Sequence, residues 1–295
     1  MLEAIEMRIF QAIIPLISRL WATYGAIAAK LAAPLESSDA KDKSIPDTFR
    51  LGKDERVVIV LYDNTARLEN LRPAWGFACL LETARQTILF DTGGDGGILL
   101  DNARKMGIDF KEIDAILISH IHGDHTGGLD AALRRCGRVP VYLPADTSES
   151  FLERVRAHHG EPVLSERPVV VSAGVMTTGT LPAGGVGEQG LCFETASGWI
   201  LITGCAHPGV VKMVTAARRI LPRPVYCVIG GFHMRWHSRR KIDAAISALK
   251  RLGVICVGPC HCTGKTAEGI FAEHFGEGYL SVGAGTILRF TKRLR

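Results

Sequence analysis

Apolar and polar positions alternate along this chain in short blocks that change period repeatedly. A β-branched run at 57–61 (VVIVL) predicts a buried strand. Residues 77–82 and 87–90 predict two strands joined by a polar turn, leading into Asp91-Thr92-Gly93-Gly94. A helix is predicted at 98–106, ended by Gly107, and a strand at 115–118. A helix at 130–136, a strand at 139–143 and a helix at 149–158 complete the first half. The second half repeats this order. Strands are predicted at 169–171, 190–194 and 199–202, followed by a helix at 208–220 and a strand at 225–229. A helix at 241–252, a strand at 254–257, a helix at 266–275 and closing strands at 280–282 and 286–290 follow. Strand-rich hairpins first and strand–helix units after, in each half, suit two sheets packed face to face with helices outside, an α+β arrangement. No short repeat is visible, which excludes a solenoid.

Before residue 48 the pattern differs. Phe10, Ile13, Ile14, Ile17, Leu20, Trp21, Tyr24, Ile27 and Leu31 recur at helical spacing. Arg8, Arg19 and Lys30 interrupt the run, so it lacks the roughly 20 clean apolar residues of a spanning helix. Glu3 and Glu6 at its start, with Arg19 inside it, also fit a signal peptide poorly. The expectation is a helix docked on its own domain or a second subunit, with a membrane-surface helix and a signal or anchor as the competing readings. Residues 36–47 are polar and contain proline, so they read as a linker. The chain therefore divides into a segment 1–47 and a catalytic domain 48–295.

The 295 residues suffice for a sizeable core. A net charge of +5 is modest, and the only dense basic runs, Arg239-Arg240-Lys241 and the C-terminal tail, are short. This argues against a specific nucleic-acid partner and for a small-molecule substrate. The eight cysteines need no disulfide framework in a chain this long, and several lie in apolar runs. They suit a reducing, cytoplasmic setting, with membrane association through the first helix as an added expectation.

The chemistry concentrates in residues 116–129, ILISHIHGDHTGGL. Three of the ten histidines fall within His120-Ile121-His122-Gly123-Asp124-His125, directly behind a buried strand. Imidazole and carboxylate are ligands for zinc, and equally for iron or manganese. His120 and His122 lie two apart on an extended segment and share a side. Asp124 and His125 follow in a glycine-assisted turn that folds them toward a neighbouring position. One short segment can thus serve one or two metals, and a pair about 3.5–4 Å apart can share a bridging hydroxide. Gly264-Lys265-Thr266 lacks the upstream spacing of a phosphate loop.

The pattern H-x-H-x-D-H after a strand, with Asp91-Thr92-Gly93 about thirty residues before it, resembles the metallo-β-lactamase superfamily. Further elements recur in order: Leu61-Tyr62-Asp63-Asn64, Trp75-Gly76-Phe77, Thr203-Gly204-Cys205-Ala206-His207-Pro208-Gly209, Gly230-Gly231-Phe232-His233 and Pro259-Cys260-His261-Cys262-Thr263-Gly264. Together they resemble the branch that includes archaeal 7,8-dihydropterin-6-methyl-4-(β-ribofuranosyl)aminobenzene-5′-phosphate synthases and uncharacterised bacterial hydrolases. The resemblance runs from about residue 57 to 290. It implies a four-layer αββα sandwich, a one- or two-metal site at the sheet edge, and hydrolysis by a metal-bound hydroxide.

By that resemblance His207 is the third ligand of the first metal and His261 the last ligand of the second. The bridging Asp of the family is absent, and Cys205 stands in that stretch, as a thiolate ligand or as a buried thiol beside the site. Asp91 is expected to orient a ligand histidine. Asp124 is expected both to bind metal and to accept a proton, and His233 to bind substrate or carry a proton. Asp63 and Asn64 are expected to line the site toward substrate. Metal-assisted hydrolysis is the leading expectation. A transferase joining a pterin methyl diphosphate to an aromatic amine is the runner-up, and a non-catalytic metal-binding or sensor protein is the third reading. Cys260 and Cys262 straddle His261, which permits redox sensitivity, although core or supporting roles fit them better.

Overall fold

The computed structural model describes residues 55–291. The helix and linker expected at 1–47 lie outside the described residues. Seven strands form the first sheet in the order β15-β1-β2-β3-β4-β5-β6: β15 (Ile287–Thr291), β1 (Glu55–Tyr62), β2 (Ala78–Thr83), β3 (Thr87–Phe90), β4 (Ala115–Leu117), β5 (Pro140–Leu143) and β6 (Glu161–Leu164). Six form the second, in the order β14-β13-β12-β11-β8-β7: β14 (Cys256–Cys260), β13 (Val225–Gly231), β12 (Trp199–Thr203), β11 (Leu191–Glu194), β8 (Val175–Thr177) and β7 (Val170–Ser172). A separate hairpin joins β9 (Leu181–Ala183) to β10 (Val186–Glu188).

Side-chain parity along the strands explains the layering. In β1, Val57, Ile59 and Leu61 point to one core, while Val58 and Val60 point to another. The first core lies under helices α1 (Gly96–Lys105), α3 (Leu129–Cys136) and α4 (Glu149–Ala157), through Leu99, Leu133 and Val155. The second lies between the sheets, where Phe77, Phe90 and Leu117 meet Phe193, Ile202 and Ile229. A third core covers the other face of the second sheet. There Leu201 and Val228 pack against helices α5 (Val210–Ile220), α6 (Arg239–Arg251) and α7 (Lys265–Phe275) through Met213, Ile246 and Phe271. The result is the expected αββα sandwich. Strands buried on both faces read as continuous apolar runs, which is why β1 stood out as VVIVL.

The expected elements are present with end shifts of at most three residues, apart from 280–282. That stretch is held by a single backbone bond, Leu280 N–H to the Val257 carbonyl at 2.7 Å, beside an isolated bridge at Tyr279. Too little pairing is available there for a strand. Four strands went unread: β6, β8, β9 and β10. Among the described residues no helix is long and apolar enough to cross a membrane.

Candidate metal centre

β3 and β4 pair in parallel, as do β12, β13 and β14, so the carboxyl ends of these strands gather at one edge of the sandwich. Ligand sites form at such ends in parallel sheets. Asp91 follows β3, His120 follows β4, Cys205 and His207 follow β12, His233 follows β13, and His261 follows β14. A four-residue helical turn, α2 (Gly123–Thr126), folds Asp124 and His125 back toward His120. The edge is strained. Asp91, Ala206, His233 and His261 take positive φ, between 51° and 57°, a cost that the surrounding contacts must over-determine. Gly204 is required by space: a Cβ there would lie 2.0 Å from Ser119 Oγ.

Four histidines are fixed by the same device. His125 Nδ1 lies 2.7 Å from Asp91 Oδ2, and His207 Nδ1 lies 3.0 Å from Glu188 Oε2. Ser119 Oγ–H donates to Asp91 Oδ2 at 2.7 Å, so its oxygen is left to accept from His120 Nδ1–H at 2.9 Å. His261 Nδ1 lies 3.2 Å from Asn64 Oδ1, while Asn64 Nδ2 donates to the His261 carbonyl at 2.8 Å. Each contact assigns the proton to Nδ1 and leaves the Nε2 lone pair to face the centre.

Those lone pairs fall into two groups. His120, Cys205 and His207 form one, and Asp124, His125, Cys205 and His261 form the other, with the ligand atoms of each group within 4.8 Å of one another. The His122 ring stands 4.7 Å from that of His120 and 4.9 Å from that of His207, which puts it beside the first group. Cys205 belongs to both groups and lies 3.3 Å from His125 Nε2. The structure thus brings together every residue expected to hold metal, with the cysteine between the two halves.

The donor set fits a cation. Buried His120 Nε2 and His261 Nε2 have no hydrogen-bond partner, although His261 Nε2 stands 3.3 Å from Asp124 Oδ2. Leaving a buried polar atom unpaired is costly, and a cation relieves it. Burial, reinforced by the neighbouring histidines, holds the pKa of His120 well below the ordinary imidazole value, so its lone pair is free at neutral pH. Burial alone would raise Asp124, but His261 and His125 outweigh it and keep the carboxylate ionised. Cys262 beside it and burial together push the Cys205 thiol up, so a thiolate there calls for a cation.

Some residues act differently from expectation, and others were missed. Asp63 and Asn64 stand behind His261 rather than opening toward substrate: Asp63 is buried, and its Oδ1 accepts from the His261 backbone N–H at 2.9 Å. Asp91 reaches two histidines, His125 directly and His120 through Ser119. Glu188 was missed. Fully buried on β10, it accepts from the backbone N–H groups of Cys205, Ala206 and His207 at 2.7–2.9 Å. For Cys262 the expectation is a core or supporting role, with redox sensitivity or metal ligation as the competing reading. It forms a third group with Cys205 and His233, whereas Cys260 lies in the core between the sheets.

The family profile described as the metallo-beta-lactamase superfamily matches residues 76–238. The chain belongs to the metallo-β-lactamase superfamily. It is 32% identical over 271 residues to the 7,8-dihydropterin-6-methyl-4-(beta-D-ribofuranosyl)-aminobenzene-5'-phosphate synthase of Methanocaldococcus jannaschii, covering 74% of this chain and 92% of that one. A crystal structure of a metal-dependent hydrolase of the β-lactamase superfamily superposes with a TM-score of 0.68 at 28% identity, covering 80% of this chain and all of that one. A metallo-β-lactamase fold protein from Bacillus subtilis superposes at 0.60 and 14% identity, covering 80% of this chain and all of that one, which shows the shared fold.

Proposed function

We propose that this protein is a metal-dependent hydrolase of a small-molecule ester or phosphoester, with His120, His122 and His207 holding one ion and Asp124, His125 and His261 a second. Zinc suits the nitrogen and sulfur donors best, with iron and manganese admitted by the same set. The observation that carries this reading is the common fixing of four imidazoles through Nδ1, which commits their Nε2 atoms to two adjacent groups joined by Cys205. Ions held there supply Lewis acidity and lower the pKa of bound water toward neutrality.

The chain's own groups supply the rest. Asp124, kept ionised by its histidine neighbours, accepts the proton lost by the attacking water. His233 stands at the mouth with its ring 4.6 Å from that of His207. Its hydrogen bond with Cys262 outweighs burial and raises its pKa, so it carries a proton to the leaving group. Replacing His120 and His122 together by Ala is expected to remove metal and ester-hydrolysing activity in parallel, read by elemental analysis and a small-substrate panel. Full activity in a metal-free double variant would overturn the reading.

A second reading is favoured by the 32% identity to the archaeal synthase. In it the same ligands serve a transferase that joins a pterin methyl diphosphate to an aromatic amine. Pyrophosphate release that depends on the amine supports the transferase. Product release without any amine supports the hydrolase.

A further inference from the structure

Trp75 precedes β2 and stays 48% exposed, yet its ring lies 4.9 Å from the imidazole of His261. From another strand end, two residues past His233, Arg235 places its guanidinium carbon 5.5 Å from the Trp75 ring centre and 5.3 Å from that of Trp236. Trp236 is 87% exposed. Among the described residues no carboxylate or carbonyl pairs with Arg235. The surrounding stretch Arg235-Trp236-His237-Ser238-Arg239-Arg240-Lys241 contains no acid. Further along, the carboxylates Asp243 and Glu273 are engaged by Arg239.

The rim is anchored. Gly264, at φ +84°, lets Arg235 pack so closely that a Cβ would lie 2.8 Å from its Cα. Met234 is buried beneath, and its carbonyl accepts from His237 N–H at 3.0 Å. Two large indoles left in water beside a guanidinium without an anion form a composite surface. An indole face stacks with any planar ring, and a guanidinium fork matches a carboxylate or phosphate.

We propose that Trp75, Arg235 and Trp236 form a recognition rim for a substrate in which a planar aromatic group is joined to an anionic group. The ring stacks on an indole, Arg235 takes the anion, and the remainder of the substrate reaches past His261 to the histidine centre. This deepens the hydrolase reading and rests on it only for what happens at that centre.

Calorimetric titration of the metal-loaded protein tests the rim without turnover. The probes are 1-naphthylmethylphosphonate, methylphosphonate and 1-naphthylmethanol, with 1-naphthylacetate as the carboxylate arm. The naphthyl anions are expected to bind roughly ten-fold or more tightly than either fragment. Arg235→Gln should lower naphthyl-anion affinity by roughly ten-fold and leave 1-naphthylmethanol unchanged, whereas Trp75→Ala should weaken every naphthyl probe and spare methylphosphonate. Unchanged metal content and circular dichroism verify that both variants fold. Equal binding of methylphosphonate and the naphthyl anions, or variants that bind like wild type, would overturn the proposal. Rim binding without hydrolysis of any ester would sink the hydrolase reading alone, and hydrolysis with variant-insensitive binding would sink the rim alone.

Discussion

Glu188 shows how much one carboxylate can organise. It accepts three consecutive backbone N–H groups, from Cys205 to His207, and also the His207 imidazole. Those bonds hold the left-handed turn at Ala206 that points both Cys205 and His207 inward. Burial opposes its charge, but His207 and the backbone donors hold its pKa below the ordinary glutamate value. Glu188→Gln keeps the shape, removes the charge and presents an amide N–H to a cluster of donors. The expected loss is about 1–3 kcal/mol of stability, checked by thermal unfolding, together with weakened metal retention beside His207, checked by elemental analysis. Nothing near Glu188 in the chain announces this role, because its partners lie 17–19 residues downstream across a sheet. The cluster at 120–125 was legible for the opposite reason: its candidate ligands are near neighbours in sequence. Cys205 was legible only as an ambiguity, since thiols serve equally well in cores.

The elements carry the site by ending together. Phe90 closes β3 one residue before Asp91 and packs between the sheets against Phe77, with ring centres 6.2 Å apart. Phe90→Ala should cost about 3–5 kcal/mol, read by denaturant unfolding, and should loosen the edge that holds Asp91. Gly204→Ala should be worse than its single added methyl suggests. Its Cβ would meet Ser119 Oγ and come within 3.0 Å of Asp91 Oδ2, so metal content should fall along with stability. Long apolar strands and amphipathic helices were readable from their periods. β8, β9 and β10 were not, because three residues hold too few alternations to set a phase. The hairpin turn Gly184-Gly185, with both residues at positive φ, was the available signal for β9 and β10.

At the scale of the molecule, two sheets bring polar side chains from five strand ends to one edge, and a cation taken up by the unpaired Nε2 atoms of His120 and His261 would couple folding to metal. A ligand that binds only the folded state stabilises it by about 2.7 kcal/mol when present at 100 times its dissociation constant. Chelation is therefore expected to lower the unfolding temperature and abolish turnover together, with both restored by added zinc. A chelated protein unfolding at the same temperature would contradict the coupling.

The sequence by itself determined the candidate ligand types, the cluster at 120–125, the apolar periods and hence the layered architecture, because these depend on residues within a few positions of one another. Tertiary structure alone decided that Asp63 and Asn64 would serve His261, 197–198 residues away, that Glu188 would hold His207, and that Cys205 would stand between two groups of donors. It also decided that Trp75 and Arg235 would meet at the mouth. Such meetings depend on sheet pairing and on the packing of one face against another, and no local period records which strand ends will become neighbours.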